Sequence, residues 1–294
     1  MKDQKIRAYF AWIAICFIWG TTYLAIRVGV NQLPPMLFAG LRWVIAGPLF
    51  LTILLIRGFK LPKRKDLIHI AIVGISLLGI ANGLVVVAEQ WIPSGLAALL
   101  ITTLPFWVFG IESVLPSGPK FNINVLLGLF LGFLGVGLIF INDLKFLFNS
   151  EYFLGMICLL GAVISWASGS LYSKHKNINV HPLVNASVQM IIAGLAQISL
   201  GLVLGEFSRF YFDLNSFLAF SYLVFVGAIL GYGSYIYAIS HLPVSFVTTY
   251  AYINPVIALL LGWLILNEEL NFIIILAAAI ILVGVWMVKK GSKI

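Results

Sequence analysis

Residues 9–30 read YFAWIAICFIWGTTYLAIRVGV, an apolar segment of the length that a helix needs to cross a membrane. Such a helix takes about 20 apolar residues, because the hydrocarbon core is roughly 30 Å thick and a helix rises about 1.5 Å per residue. Similar segments follow along the chain, separated by short polar or proline-containing breaks. Ten spans are predicted, at residues 9–30, 35–56, 67–89, 94–115, 122–141, 153–174, 182–204, 216–239, 244–266 and 272–288.

The composition assigns the chain to the same class. Of its 294 residues, 62% are hydrophobic and 10% are charged, whereas soluble domains carry about 25% charged residues. We therefore predict an all-α, polytopic membrane protein whose surroundings are the lipid bilayer. The first span is too long for a signal-peptide core and no small-residue cleavage site follows it, so we interpret it as a retained helix.

The distribution of basic residues predicts the topology. A net charge of +8 would suggest a nucleic acid partner in a soluble protein, but here the 18 basic residues concentrate on one side of the predicted spans. With the amino terminus inside, only Arg27, Lys145 and Arg209 fall outside, and Arg42 lies within a span. This satisfies the positive-inside rule. We expect a multi-pass protein of the cell (cytoplasmic) membrane with both termini cytoplasmic, and no nucleic acid partner.

Reactive and metal-binding patterns are missing from the sequence. Cys16 and Cys158 lie within predicted spans, and the four histidines are scattered along the inner edges without ligand spacing. No phosphate-binding loop, nucleophile triad or haem motif is present. We expect no cofactor and no metal, and we do not expect an enzyme.

The second half of the chain repeats landmarks of the first. Trp19 and Arg27 are eight residues apart, as are Trp166 and Lys174. A shift of 147 residues places Arg42 on Gln189. The same order holds for prolines, with Pro35 matching Pro182, Pro93 matching Pro243, and Pro105 matching Pro255. We predict two repeats, residues 1–145 and 146–294.

Each predicted repeat contains five spans, so the second repeat enters the membrane in the opposite orientation. Inverted repeats of this kind are typical of secondary transporters, in which two similar units rock about a central site. The architecture therefore favours transport, by analogy with that class of protein.

Several motifs carry a resemblance to a known family. They are FIWGTTY at residues 17–23, the segment 35–42, PSGLAALL at 93–100, Pro105, and the segment 255–268. Over essentially its full length the chain resembles the EamA family of the drug/metabolite transporter superfamily. The resemblance implies a cytoplasmic-membrane carrier of small organic solutes, often an exporter of amino acids, other metabolites or drugs. One departure is that Glu268 lies 13 residues after Pro255, whereas Gly118 occupies the matching position after Pro105.

Charged groups near the predicted helices are the first candidates for a site. Arg42 lies seven residues into its span and offers a planar set of donors to a carboxylate or phosphate, with Gln189 as its counterpart. Alternatively, its stem extends to the outer headgroups. Glu89 and Glu112 are the candidates for a coupling proton. We expect Glu89 to approach Arg42 and neutralise it in the absence of solute, unless it is simply an interfacial acid in contact with water.

The two prolines within spans, Pro105 and Pro255, predict helix breaks whose freed backbone groups line a cavity. The alternative is a pair of structural kinks. Polar and aromatic residues on the same helices complete the predicted substrate-binding set: Trp19, Tyr23, Thr103, Trp107, Trp166, Tyr235, Tyr252 and Asn254. Tryptophan and tyrosine also populate interfacial belts, which is the competing explanation for the aromatic residues.

We interpret the sequence as a secondary active transporter that exports a small organic metabolite, such as an amino acid or a drug-like solute, by alternating access. An uptake permease or an exchanger of the same fold is the alternative within this class. A membrane enzyme acting on lipid-linked substrates is the alternative from another class. The expected partners are the bilayer, a small organic solute and a candidate coupling proton, and the glycine stripe at Gly128, Gly132 and Gly135 leaves open a monomer or a homodimer.

Overall fold

The protein is described by a computed structural model covering residues 2–114, 122–141, 150–176, 178 and 180–291. Five helices run without interruption through the bundle: α1 (Lys2–Val30), α2 (Pro35–Ile56), α5 (Ile123–Ile141), α6 (Ser150–His175) and α7 (Pro182–Val203). A sixth is α10 (Phe272–Gly291). The first helix begins before the predicted span because the polar residues at its start continue the helix without being apolar.

Four further helices contain a change of helical geometry. They are α3 (Arg64–Ala88), α4 (Ser94–Ser113), α8 (Leu214–His241) and α9, which comprises Val244–Val247, Thr248–Tyr252 and Asn254–Leu266. Within the described residues, eight helices are long and apolar enough to span a membrane, and α5 and α10 contain the shorter apolar stretches Ile123–Gly135 and Phe272–Gly284. The all-α, polytopic fold class is confirmed, and the ten helices agree with the predicted count.

Two π-helices occupy matching places in the two halves. They extend over Ile75–Asn82 in α3 and Leu223–Tyr232 in α8. A π-turn disturbs the regular backbone ladder, and π-turns are frequent at functional sites. Neighbouring helices supply donors to the α3 segment: Gln197 Nε2 donates to the carbonyls of Leu78 at 2.8 Å and Gly79 at 3.0 Å. The sequence pattern treated both segments as ordinary α-helix.

The helices that carry Pro105 and Pro255 are each divided into pieces. In α4, Thr102 and Thr103 separate Ser94–Ile101 from Leu104–Ser113. In α9, a 3-10 turn at Thr248–Tyr252 precedes the longer helix. Each proline lies in the first turn of the helix that follows, where a missing N–H leaves no backbone bond unmade.

The helices pack in pairs that relate the halves by an approximate two-fold. Helix α1 packs on α8 and α9, just as α6 packs on α3 and α4, while α2 pairs with α7, α4 with α9, and α5 with α10. The α2–α7 pair is closely approached, since a Cβ at Gly194 would lie 2.8 Å from the carbonyl oxygen of Gly40. The Gly132 and Gly135 face of α5 packs against α10 in the same chain, where a Cβ at Gly284 would lie 2.7 Å from the Gly132 nitrogen.

We name the two ends of the bundle by residues that lie there. At the Glu89 end, odd-numbered helices finish and even-numbered helices begin, whereas the His181 end is the opposite one. The predicted boundary between residues 145 and 146 lies outside the described residues, as does Gly118.

Candidate functional site: a cavity with one cation and aromatic walls

A cavity lies between the two halves, where seven helices meet. It contains about 670 Å³ of space free of protein atoms, including the part open to solvent. Its polar and aromatic lining consists of Trp19, Thr22, Tyr23, Arg42, Trp43, Asn82, Trp166 and Tyr250. Apolar groups from α3, α4 and α6 complete the walls. A concave, mainly apolar site with a few converging polar groups is typical of small-molecule binding.

Arg42 carries the only charge among the described residues that line this cavity. Its side chain is 3% exposed, so it does not extend to the headgroup region. Nη2 donates to Oδ1 of Asn82, and the guanidinium carbon lies 4.2 Å from the centre of the Trp43 ring. Nε has no hydrogen-bond partner. A buried guanidinium with an unused donor is suited to bind an anion.

The matching position in the second half has no charge. Gln189 is fully buried and its Oε1 accepts a hydrogen bond from the Tyr232 hydroxyl at 2.5 Å. Its Nε2 donates to Asn185 Oδ1 at 2.8 Å. Both ends of the amide are therefore occupied, and Gln189 does not line the cavity.

The aromatic walls form one connected cluster. The ring centre of Trp19 lies 5.3 Å from Trp166, 5.1 Å from Tyr235 and 4.9 Å from Tyr250. Trp166 Nε1 donates to the Tyr235 hydroxyl at 3.0 Å, which also bonds Ser170 at 2.6 Å. Tyr235 therefore supports the two tryptophans from behind, while Trp19, Tyr23 and Trp166 line the cavity directly.

The remaining predicted binding residues lie near the helix breaks but do not line the cavity. The Thr103 hydroxyl donates to the Leu100 carbonyl at 2.8 Å within its own helix. Asn254, with its amide nitrogen facing α1, donates to the Cys16 carbonyl at 2.9 Å and to the Tyr250 carbonyl at 3.2 Å. Trp107 and Tyr252 are half-buried side chains outside the lining.

Glu89 directly follows α3 and is completely buried. Neither carboxylate oxygen has a hydrogen-bond partner, whereas its backbone carbonyl accepts a bond from Arg27 Nη1. The charges of Arg27 and Arg42 attract this carboxylate and that of Glu268 repels it. The structure thus brings Glu89 and Arg42 into electrostatic range without a direct bond. Glu112 is half-buried near the opposite end of α4, away from the cavity lining.

Two acids that were predicted only as outer-side charges join the halves at the Glu89 end. The carboxylate of Glu206 accepts from the backbone nitrogens of Met36 at 3.3 Å and Leu37 at 2.8 Å, in the first turn of α2. The carboxylate of Glu268 accepts from Ser94 N at 2.9 Å, Ser94 Oγ at 2.8 Å and Gly95 N at 3.2 Å, at the start of α4. Helix amino termini favour such carboxylates through their free N–H groups and the helix dipole.

Sequence reasoning missed Asn82 and Trp43. Asn82 accepts from both Arg42 Nη2 and, at 3.3 Å, Trp43 Nε1. A signal for Asn82 was present, because an amide inside the apolar segment 67–89 is costly unless it has a partner. In the part of the chain that the structure describes, no three His, Cys, Asp or Glu side chains are grouped closely enough to hold a metal ion.

Comparison with known proteins agrees with this arrangement. The model of the EamA-like transporter family matches residues 6–141 and again residues 153–289. The uncharacterized inner membrane transporter YedA of Escherichia coli (strain K12) is 36% identical over 98% of this chain and 92% of its own length. A protein of the same organism named "Probable amino-acid metabolite efflux pump" is 25% identical over 96% of this chain and 94% of its own length.

A crystal structure of a protein with 20% sequence identity has the same fold, with a TM-score of 0.72 over 97% of each chain. The full-length family match, the relatives named as transporters and the ten-helix fold lead to one assignment. The chain belongs to the EamA-like transporter family.

Proposed function

We propose that the protein is a secondary active transporter that exports a small organic solute bearing a carboxylate, by alternating access. The observation that carries this proposal is a single buried cation, Arg42, in an aromatic cavity between the two halves. The cell membrane is its place of action, with both termini cytoplasmic, so the Glu89 end faces outward. This orientation rests on the distribution of basic residues.

Alternating access is supported by the repeated construction. Residues 1–145 and 146–294 are the two units proposed to rock about the cavity, and the pairing of α2 with α7 and α4 with α9 provides the surfaces between them. Interrupted helices occur in matching places, at the π-helices of α3 and α8 and at the breaks of α4 and α9. Such discontinuous helices are common around transporter sites.

The chemistry of the cavity favours an amphipathic solute with one anionic group. Arg42 offers the guanidinium for a carboxylate, and the neutral Gln189 offers no second cation. Trp19, Trp43 and Trp166 provide flat apolar surfaces for the remainder of the solute. An amino acid or a drug-like carboxylate has this combination, and a relative named as an amino-acid metabolite efflux pump is in keeping with it.

Export is the proposed direction, and uptake or exchange is the alternative, because gradients decide the direction of an alternating-access carrier. Glu89 and Glu112 remain the two candidates for a coupling proton. The proposed partners are thus the bilayer, one organic anion and a proton, in a monomer or a homodimer.

The experiment that tests transport compares solutes in medium and cytosol of cells overproducing the wild type or Arg42→Gln. Arg42→Gln gives the first half the residue that the second half already has. Arg209→Gln is the control, because it removes an equal charge from an exposed side chain outside the cavity.

Export is supported if a carboxylate solute accumulates in the medium with the wild type and Arg209→Gln but not with Arg42→Gln. Accumulation in the cytosol would establish uptake. Lipid-linked products that appear without any solute redistribution would favour the membrane enzyme and contradict the proposal.

A further inference from the structure

We propose that Glu89 is a proton-binding site linked to Arg42, so that an organic anion and a proton occupy the transporter together and cross in the same direction. This inference rests on the proposed function, since it needs an anion at Arg42. It adds the identity of the proton site and the sign of the coupling, which together distinguish cotransport from exchange.

The surroundings of Glu89 are those of a site for a proton. Its side chain is 0% exposed and both oxygens lack hydrogen-bond partners, so the ionised carboxylate is deprived of the hydration it would have in water. A proton removes the charge and needs no added space. Because Glu89 is not part of the cavity lining, the solute itself does not reach it.

The groups that face Glu89 come from three parts of the bundle. Helix α1 contributes Tyr23 and Arg27, α2 contributes Arg42, and the segment after α9 contributes Glu268. Arg27 is already engaged with the Glu89 backbone carbonyl, and Glu268 with the start of α4. Of the two cations, Arg42 is therefore the one that also lines the cavity and can respond to a bound solute.

The sign of the coupling follows from the charges. An ionised Glu89 partly neutralises the field of Arg42 and weakens its attraction for an anion, whereas a protonated Glu89 leaves that attraction intact. Linkage is reciprocal, so an anion at Arg42 increases the proton affinity of Glu89 by the same factor. Proton and anion thus favour each other's binding. A carrier in which solute and proton compete for one carboxylate would show the opposite sign and would exchange them.

For an exporter, the consequence is that each anion leaves with a proton. Outward flow then requires a solute gradient larger than the opposing proton gradient, and acidification of the medium slows export. In the uptake direction, the same coupling lets the proton gradient accumulate the solute.

The test measures binding to the purified, full-length protein in detergent, using the fluorescence of the cavity tryptophans. The probe is phenylacetate, a carboxylate with an aromatic body that stays ionised from about pH 6 to about pH 9, well above the usual carboxyl pKa. Phenylacetamide, which has the same shape without the charge, is the matched ligand control. The variants are Glu89→Gln, which resembles the protonated acid, and Glu112→Gln, which changes the other candidate.

We expect phenylacetate affinity for the wild type and for Glu112→Gln to fall with rising pH, by up to about tenfold per pH unit for one linked proton. Glu89→Gln should bind phenylacetate at every pH as tightly as the wild type does at the lowest pH. Phenylacetamide binding should not depend on pH. The wild-type profile is informative by itself if Glu89→Gln fails to fold.

Other outcomes separate the two proposals. A wild-type affinity for phenylacetate that is independent of pH, or a pH slope that persists in Glu89→Gln, would overturn the proton linkage and leave the Arg42 site standing. A phenylacetate affinity that is equal in Arg42→Gln and the wild type, or no binding at all, would overturn the anion site and the linkage with it.

Discussion

Arg42 of α2 donates a hydrogen bond to Asn82, the last residue of the π-helix in α3. The second half has the same pairing between α7 and the last π-helical residue of α8, where Gln189 accepts from Tyr232. One architectural position thus holds a cation with an amide in one half and an amide with a phenol in the other. The approximate symmetry of the backbone therefore supports a cavity that is chemically one-sided.

Replacing Asn82 with Leu should weaken anion binding, because Arg42 loses the acceptor that fixes its guanidinium. Hydrogen bonds to charged groups contribute about 1.5–3 kcal/mol, so phenylacetate affinity should fall by roughly tenfold or more. Tryptophan fluorescence titration measures this change. Asn185→Leu is the control, since Asn185 bonds Gln189 outside the cavity lining. Equal affinities in the two variants would contradict a positioning role for Asn82.

Replacing Glu268 with Ala should destabilise the protein, because the start of α4 loses a carboxylate that accepts three hydrogen bonds. Removing a capping group costs about 0.5–2 kcal/mol. The exposed neighbour Glu269 provides a control of identical charge, and Glu269→Ala should change stability by less than about 0.5 kcal/mol. Unfolding temperatures in detergent compare the two, and a similar loss in both variants would refute the capping role.

Replacing Gly194 with Ala should separate α2 from α7, since the new methyl group would lie 2.7 Å from the Val44 nitrogen and 2.8 Å from the Gly40 oxygen. Backbone atoms cannot rotate away, so we expect a loss of about 1–3 kcal/mol. Gly110→Ala is the matched change in a helix with nothing within 4 Å, and it should be neutral or stabilising. A Gly194→Ala protein as stable as Gly110→Ala would show that the helix pair adapts.

Stability should decrease in mild acid through His181, which precedes α7 at the His181 end. Burial and the nearby His241 lower the pKa of His181, and its Nδ1 accepts from Leu183 N at 3.3 Å, which requires an unprotonated nitrogen. Below about pH 6.5 the unfolded chain takes up a proton that the folded chain resists, so the stabilisation is lost as pH falls towards the lowered pKa.

His181→Asn retains a capping side chain without titrating. The difference in unfolding temperature between this variant and the wild type should therefore change between about pH 7.5 and about pH 5.5. A constant difference over that range would rule out His181 as a source of acid sensitivity.

Much of the fold was predictable because membrane spans are recorded directly in apolar length. The helix starts at Pro35, Ser94 and Phe272 agree with the predicted spans. The π-helices were not predictable, since the side chains of Ile75–Asn82 suit an α-helix equally well and the donors that stabilise the altered backbone come from distant helices.

The candidate site was predictable in part for a related reason. Arg42, Trp19 and Trp166 attract notice by themselves in an apolar sequence, and all three line the cavity. Asn254 and Gln189 were equally conspicuous, yet their polar atoms are bonded within the bundle away from the lining. Only the three-dimensional packing distinguishes a polar group that faces a cavity from one that holds two helices together.

The π-helices also affect how this chain tolerates changes of length. Each one places additional residues in a turn, so the segment after it is out of phase with a single 3.6-residue repeat. Deleting one residue from Ile75–Asn82 would rotate the following segment Gly83–Ala88 by about 100° and carry Glu89 away from its neighbours. In this family member, a one-residue deletion at that place would disturb the site more than most single substitutions.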